Sequence, residues 1–289
     1  MKLFWTSLFF LIIVPTNAQK ADSLRNRWLL ASGYTAFCGT TFGLLNSQWY
    51  ANQPLSSFHW FNDNHEWGGM DKLGHAHTCY QISRGGVAAM RATGFSPRQA
   101  AWYGGMSGVL FMTGIEYLDG KSLRWGASPG DLIANVFGGL IGTYQALNPE
   151  SRNFCFKYSY VQNPIADVRP EMFGNGPVSR MLKNYNGQTY WLSVPISKKY
   201  PFLLASVGYG INGYYGGGDN IFENAQGVQD YSNAPRYSEF YASLDIDFTK
   251  VPTKSKFLKK TFFLMNYFKF PFPALEYSKI QGIQLRGFR

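Results

Sequence analysis

The sequence predicts a mainly α protein of the α+β class, a glycine-rich four-helix bundle followed by an irregular α+β carboxy-terminal region with a few antiparallel strands. Two observations carry this. Before residue 150, apolar residues recur at helical spacing behind serine–proline starts; after it, the pattern shifts to period-two alternation and turn residues. The expected organisation is a signal peptide at 1–18, the bundle at 19–150, and at 151–289 an α+β appendage with a basic, aromatic, membrane-facing segment.

The first element is an export signal: Met1 and Lys2 supply charge, residues 8–14 an apolar run, and Thr16, Asn17 and Ala18 a small-residue cleavage site. The mature chain is expected to begin at Gln19. No Cys follows the cleavage site, so the sequence does not support a lipid anchor at that terminus. About 270 remaining residues, from a sequence that is 45% hydrophobic overall, can build a sizeable core. The three cysteines, Cys38, Cys79 and Cys155, exclude a disulfide scaffold and allow at most one internal disulfide; the other reading is that each is a small buried apolar residue.

Helices are expected at 27–45, 71–93, 97–118 and 129–147. Ser96-Pro97 and Ser128-Pro129 each place a hydroxyl cap before a proline suited to the first turn, with Asp131 completing a capping-box-like arrangement. Glycines such as Gly86, Gly104, Gly108, Gly138 and Gly142 interrupt these helices. Each costs about 1 kcal/mol relative to Ala, so their number makes sense where backbones cross closely. The apolar runs are short for spanning and fit a compact or half-inserted bundle as well as a membrane domain. Residues 59–70, rich in Trp, Asn and Gly, read as an ordered loop over one end of the bundle.

Past residue 150, strands are expected at 188–194, 203–215, 237–248 and 282–288, and a polar loop at 219–235. In 237–248, Phe240, Ala242, Leu244 and Ile246 share one face while Glu239, Tyr241, Ser243 and Asp245 share the other. Three to five strands are too few to close a membrane barrel, for which about eight is the usual minimum.

The formal net charge of +10 concentrates at 250–289, where nine Lys or Arg face the single acid Glu276. Aromatic residues interleave them, giving a basic aromatic surface or an amphipathic helix. In an exported protein this excludes nucleic acid and points to anionic lipid of an inner or outer membrane, each nearby Lys or Arg contributing about 1 kcal/mol. A core-packing helix with solvated lysines explains the same pattern.

All four histidines, His59, His65, His75 and His77, fall within nineteen residues. His75 and His77 point about 200° apart on a helix, so a zinc site has to combine one of them with a loop His and a carboxylate such as Glu116 or Asp131; His75, Glu116 and Asp131 are the candidate metal ligands. Asp71 and His75 share a helix face at i and i+4, as do Asp131 and Asn135. Asp71, Lys72, His75, Glu116 and Asp131, supported by Asn135, thus form the candidate polar cluster. The macrodipole explains Asp71 and Asp131 as acids near helix starts, but it disfavours Glu116 near a helix end unless Lys72, Lys121 or Arg124 pairs with it. No G-x-S-x-G motif and no phosphate loop is present, which leaves water-activating chemistry as the fitting enzymatic class.

The order Asp71-Lys72-x-x-His75, then Glu116, Asp119 and Gly120, then Asp131, Asn135, Gly138 and Gly142 resembles the VanZ-like family of small bacterial membrane proteins. It resembles more closely the YfiM-like family of uncharacterised envelope proteins, described as predicted periplasmic lipoproteins. The resemblance covers roughly residues 30–148 and extends to 184–194. Cys79 stands where a VanZ-like Tyr is expected. The resemblance implies an exported periplasmic location, association with a membrane, and envelope lipids, glycans or envelope proteins as partners; it supplies no mechanism and no cofactor.

Two functions remain open at this level. One is a non-catalytic, membrane-associated envelope protein whose polar cluster fixes helix register. The other is a membrane-associated hydrolase or transferase of an envelope lipid or glycan, with His75 as general base, Glu116 or Asp131 tuning it or binding metal, and Lys72 stabilising anionic charge.

Overall fold

The computed structural model describes residues 23–45, 54–151, 153–224 and 226–289. The expected signal peptide lies outside them. The chain divides into two compact units: residues 1–63 with 75–152, and residues 64–74 with 153–289.

The first unit is helical. Helix α1 is Ser23–Leu45, α2 is Met70–Ala92, α3 is Gly105–Gly120 and α4 is Pro129–Leu147. The turn Pro97–Gln99 and a π-helical segment Ala100–Gly104 lead into α3 without a break. Ser96 caps the first turn in a full capping box with Gln99, and the Ser128 hydroxyl accepts from the Asp131 backbone N–H at 3.2 Å. The first residues of α2, Met70–Gly74, belong to the second unit.

Glycine brings the backbones together as the composition suggested. A methyl group at Gly138 would run into the Ala76 carbonyl, and one at Gly108 into the Cys79 carbonyl. Aromatic rings seal α1 against α3, with Phe42 and Phe37 centred 4.9 and 5.6 Å from Phe111. Residues 54–61 lie along 120–127 through backbone bonds, including Phe61 N–H to the Ala127 carbonyl at 2.9 Å.

The outer surface of this unit is apolar. On α4, Ile133, Phe137, Leu140 and Tyr144 are exposed while Asp131, Asn135, Gly138 and Gln145 are buried. Among the described residues, no helix is long and apolar enough to cross a membrane.

The second unit is built on a six-stranded antiparallel sheet, in the order β1-β2-β3-β6-β7-β8. Its strands are β1 Cys155–Tyr160, β2 Gln188–Pro195, β3 Leu203–Asn212, β6 Tyr237–Ile246, β7 Ala274–Ser278 and β8 Gly282–Arg286. This exceeds the three to five strands expected from sequence. β1 and β7 carry Lys157 and Glu276 on what becomes a buried face, which masks the usual apolar alternation. The expected polar loop at 219–235 is instead a hairpin, β4 Ile221–Asn224 against β5 Gly227–Asp230, with Tyr231 stacked between Tyr215 and Phe222.

The segment expected to cap the bundle, 59–70, is divided: residues 59–63 belong to the helical unit and 64–70 to this one. Trp67 sits at φ 50°, in the left-handed region, and Gly68 and Gly69 continue the turn at 56° and 80°. Only packing makes a bulky residue hold that conformation. Trp67 meets Phe173 edge-on at 5.8 Å and Tyr185 at 5.2 Å, within a core completed by Met70, Tyr190 and Ile211. Three short helices, α5 Ile165–Val168, α6 Pro170–Phe173 and α7 Pro177–Lys183, and the basic α8 Lys256–Met265 complete the unit.

Candidate functional site

In the helical unit, α2, α3 and α4 converge on one imidazole. His75 Nδ1 lies 3.3 Å from Glu116 Oε1 and 3.3 Å from Asn135 Oδ1, and its Nε2 lies 4.0 Å from Asp131 Oδ2. Glu116, Asp131 and Asn135 are buried, and His75 is nearly so. Local sequence explains the convergence. Asp131 and Asn135 lie on one face of α4 at i and i+4, and Gly138, one turn later, lets α4 press against α2 where His75 emerges.

Glu116 has partners within the helical unit: its Oε2 accepts the backbone N–H of Ser128 at 2.9 Å, and its Oε1 faces His75. The capping box expected around Asp131 is therefore closed differently. Ser128 Oγ caps α4, but the carboxylate that receives the N-cap N–H is Glu116, contributed by another helix. Ser128 Oγ in turn donates to Asp63 Oδ1 at 2.6 Å. Asp63 and Ser128 extend the cluster beyond the residues expected from sequence. Of these two, the sequence singles out only Ser128, as a helix cap.

Asp71 and Lys72 belong to the second unit, where Asp71 Oδ1 accepts from Tyr185 OH at 2.5 Å and its other oxygen lies 3.5 Å from Lys72 Nζ. Burial, reinforced by the Asp71 charge, pushes the Tyr190 hydroxyl well above its ordinary pKa. His77 pairs with Gln81 at 3.0 Å, and His59 lies 3.3 Å from Ser56 Oγ.

The geometry assigns distinct positions to the two carboxylates nearest His75. Glu116 faces Nδ1, as does the carboxylate that orients an imidazole in metal sites and acid–base dyads. Asp131 lies toward Nε2, the nitrogen that could share a metal or a proton with it. Asn135 Nδ2 is buried with no hydrogen-bond partner among the described residues. Cys79, one turn after His75, offers no nucleophile. Burial pushes its thiol up to about 12, which keeps it protonated and inert. Cys38, Cys79 and Cys155 are all free.

Residues 59–146 match the model of a family described as predicted periplasmic lipoprotein (DUF2279). The match spans Glu116, Asp131 and Asn135 as well as α2, and it marks the chain as an exported, periplasmic protein of an uncharacterised envelope type. No curated protein and no solved structure is significantly similar to the chain.

Proposed function

We propose that this is a non-catalytic envelope protein that works at a membrane, its helical unit seated in lipid and its polar cluster holding the helices from within. One observation carries the reading, the inverted polarity of α4. Ile133 is 71% and Phe137 60% exposed on its outer side, while Asn135 is 0% exposed on its inner side. Water favours the opposite arrangement, because exposed side chains of this size each forgo about 1.5–3 kcal/mol of burial. A lipid environment removes that cost. Among the described residues no helix is both long and apolar enough to cross a membrane, and on this reading the unit occupies part of a bilayer.

The basic carboxy-terminal region, 250–289, adds headgroup attraction. Helix α8 carries Lys256, Lys259 and Lys260 beside the exposed Phe257. The resemblance to YfiM-like and VanZ-like proteins supports an envelope lipid or glycan as the contact. Flotation of the mature chain with phosphatidylglycerol-containing vesicles tests the reading. Ile133→Glu with Phe137→Glu should cut partitioning at least tenfold, and Lys259→Glu with Lys260→Glu several-fold. Unchanged partitioning in both variants counts against it.

A second reading, a water-activating hydrolase, is favoured by the placement of Glu116 and Asp131 at opposite nitrogens of His75. Elemental analysis separates the two. A stoichiometric metal lost in His75→Ala without loss of folding supports the hydrolase; a metal-free protein destabilised by the same change supports a structural network.

A further inference from the structure

The second unit is turned inside out more completely than the first. Its buried sheet face carries Lys157, Trp191, Tyr241 and Glu276 in one row of register, with Ser193 and Ser206 in the next. Lys157 and Asp245 are both 0% exposed and form an ion pair at 3.0 Å. Ser193, the Ile246 N–H and the Phe270 N–H also bond Asp245, and Lys157 Nζ donates to the Ile246 carbonyl. Buried charges persist only when satisfied this fully. The chain at 267–273 closes over this face: Lys269 sits 4.8 Å above the Trp191 ring and donates to Ser243 Oγ.

The other face is apolar and largely bare. One row of register runs across the sheet through Phe156, Leu192, Val207, Ala242, Leu275 and Leu285. Val207 is 60%, Leu275 54% and Leu285 74% exposed, with Phe240, Leu244 and Ile283 exposed beside them. The same face is covered at its other end, where Ile211 and Tyr190 are buried under Trp67 and Met70. The described residues thus cover part of the face and leave the rest exposed.

We infer that the bare face of this sheet lies against the acyl chains of one leaflet of an anionic phospholipid bilayer. Dimensions favour a leaflet over a span. Six strands about 4.8 Å apart make the face about 24 Å wide; β7 and β8, of five residues, reach only about 17 Å, and β3, though ten residues long, is covered from Tyr209 to Ile211, so the bare part falls short of a hydrocarbon core of about 30 Å. Charge favours lipid over a second copy. The bare end is where β2 passes to β3, and that connection carries exposed Lys198, Lys199 and Tyr200; a second strongly basic chain would repel them. Aromatic and lysine side chains at such an edge suit the headgroup zone. An apolar exterior around a polar interior is the polarity of membrane β-structure.

This inference rests on the membrane reading proposed above but concerns a different surface. The mature full-length chain is bound to phosphatidylethanolamine–phosphatidylglycerol vesicles carrying a diazirine on the acyl chain, irradiated, and mapped by peptide mass spectrometry. Adducts are expected on peptides containing Val207, Leu275 and Leu285. In Leu275→Lys with Leu285→Lys, whose parent side chains are exposed, these adducts should vanish and partitioning should fall at least tenfold. Adducts confined to α3 and α4 overturn the sheet inference and leave the membrane reading standing, whereas no flotation and no adducts defeat both. A stable dimer in light scattering, with the sheet peptides unlabelled, assigns the face to a second copy instead.

Discussion

Glu116 shows how one side chain can tie a loop, a helix cap and an imidazole together. Its Oε2 holds the Ser128 N–H at the start of α4, and its Oε1 faces His75. Glu116→Gln keeps an acceptor for that N–H, whereas Glu116→Ala leaves a buried donor unpaired. The alanine variant should lose about 1–3 kcal/mol more than the glutamine variant in urea unfolding. Equal losses would mean that the bond contributes nothing. Lys269 offers a pH test. Burial lowers its pKa to about 8, against the opposing pull of Asp245 and with help from the Lys157 charge. Between about pH 8 and its unfolded value near 10.4, the unfolded state holds the proton that the folded state has released. Stability from this group therefore rises with pH across that window. Relative to Lys269→Met, the wild type should gain in melting temperature from pH 8 to 10; a parallel pair of curves would refute the burial of a charged amine.

At the scale of elements, glycine placement decides how closely helices pack. Intrinsic propensity predicts that Gly138→Ala stabilises α4 by about 1 kcal/mol. The Ala76 carbonyl occupies the place the methyl needs, and overpacking costs typically 1–3 kcal/mol. Gly138→Ala should therefore destabilise, seen as a lower urea midpoint, and a stabilised variant would show that α2 and α4 are not in close contact. The four helices were legible because serine–proline starts and 3.6-residue spacing are local signals; α4 begins and ends at the residues expected. β2, β3, β6 and β8 were legible by alternation, with ends one to three residues off. β1, β7 and the β4–β5 hairpin were not, because their polar residues find partners only across the folded sheet, as Glu276 does with Arg286 at 2.8 Å.

For the whole molecule, a net charge of +10 combined with apolar outer faces predicts a mixed mode of association. Raising salt shortens the Debye length to about 8 Å at physiological strength and weakens headgroup attraction, but leaves apolar burial intact. Vesicle binding should fall several-fold with salt and then level off. Complete loss at high salt would mean that the apolar faces do not take part.

From the sequence alone came the helices, their caps, the basic carboxy-terminal region and most of the polar cluster, because each rests on local spacing or on side-chain chemistry. Tertiary structure alone decided which face of each element looks outward. Alternation separates Phe240 and Leu244 from Glu239 and Asp245, but it cannot say which set is buried. That depends on partners far along the chain, Arg289 for Glu239 and Lys157 for Asp245. The same holds for Glu116, whose partners His75 and Ser128 meet it only when three helices pack together.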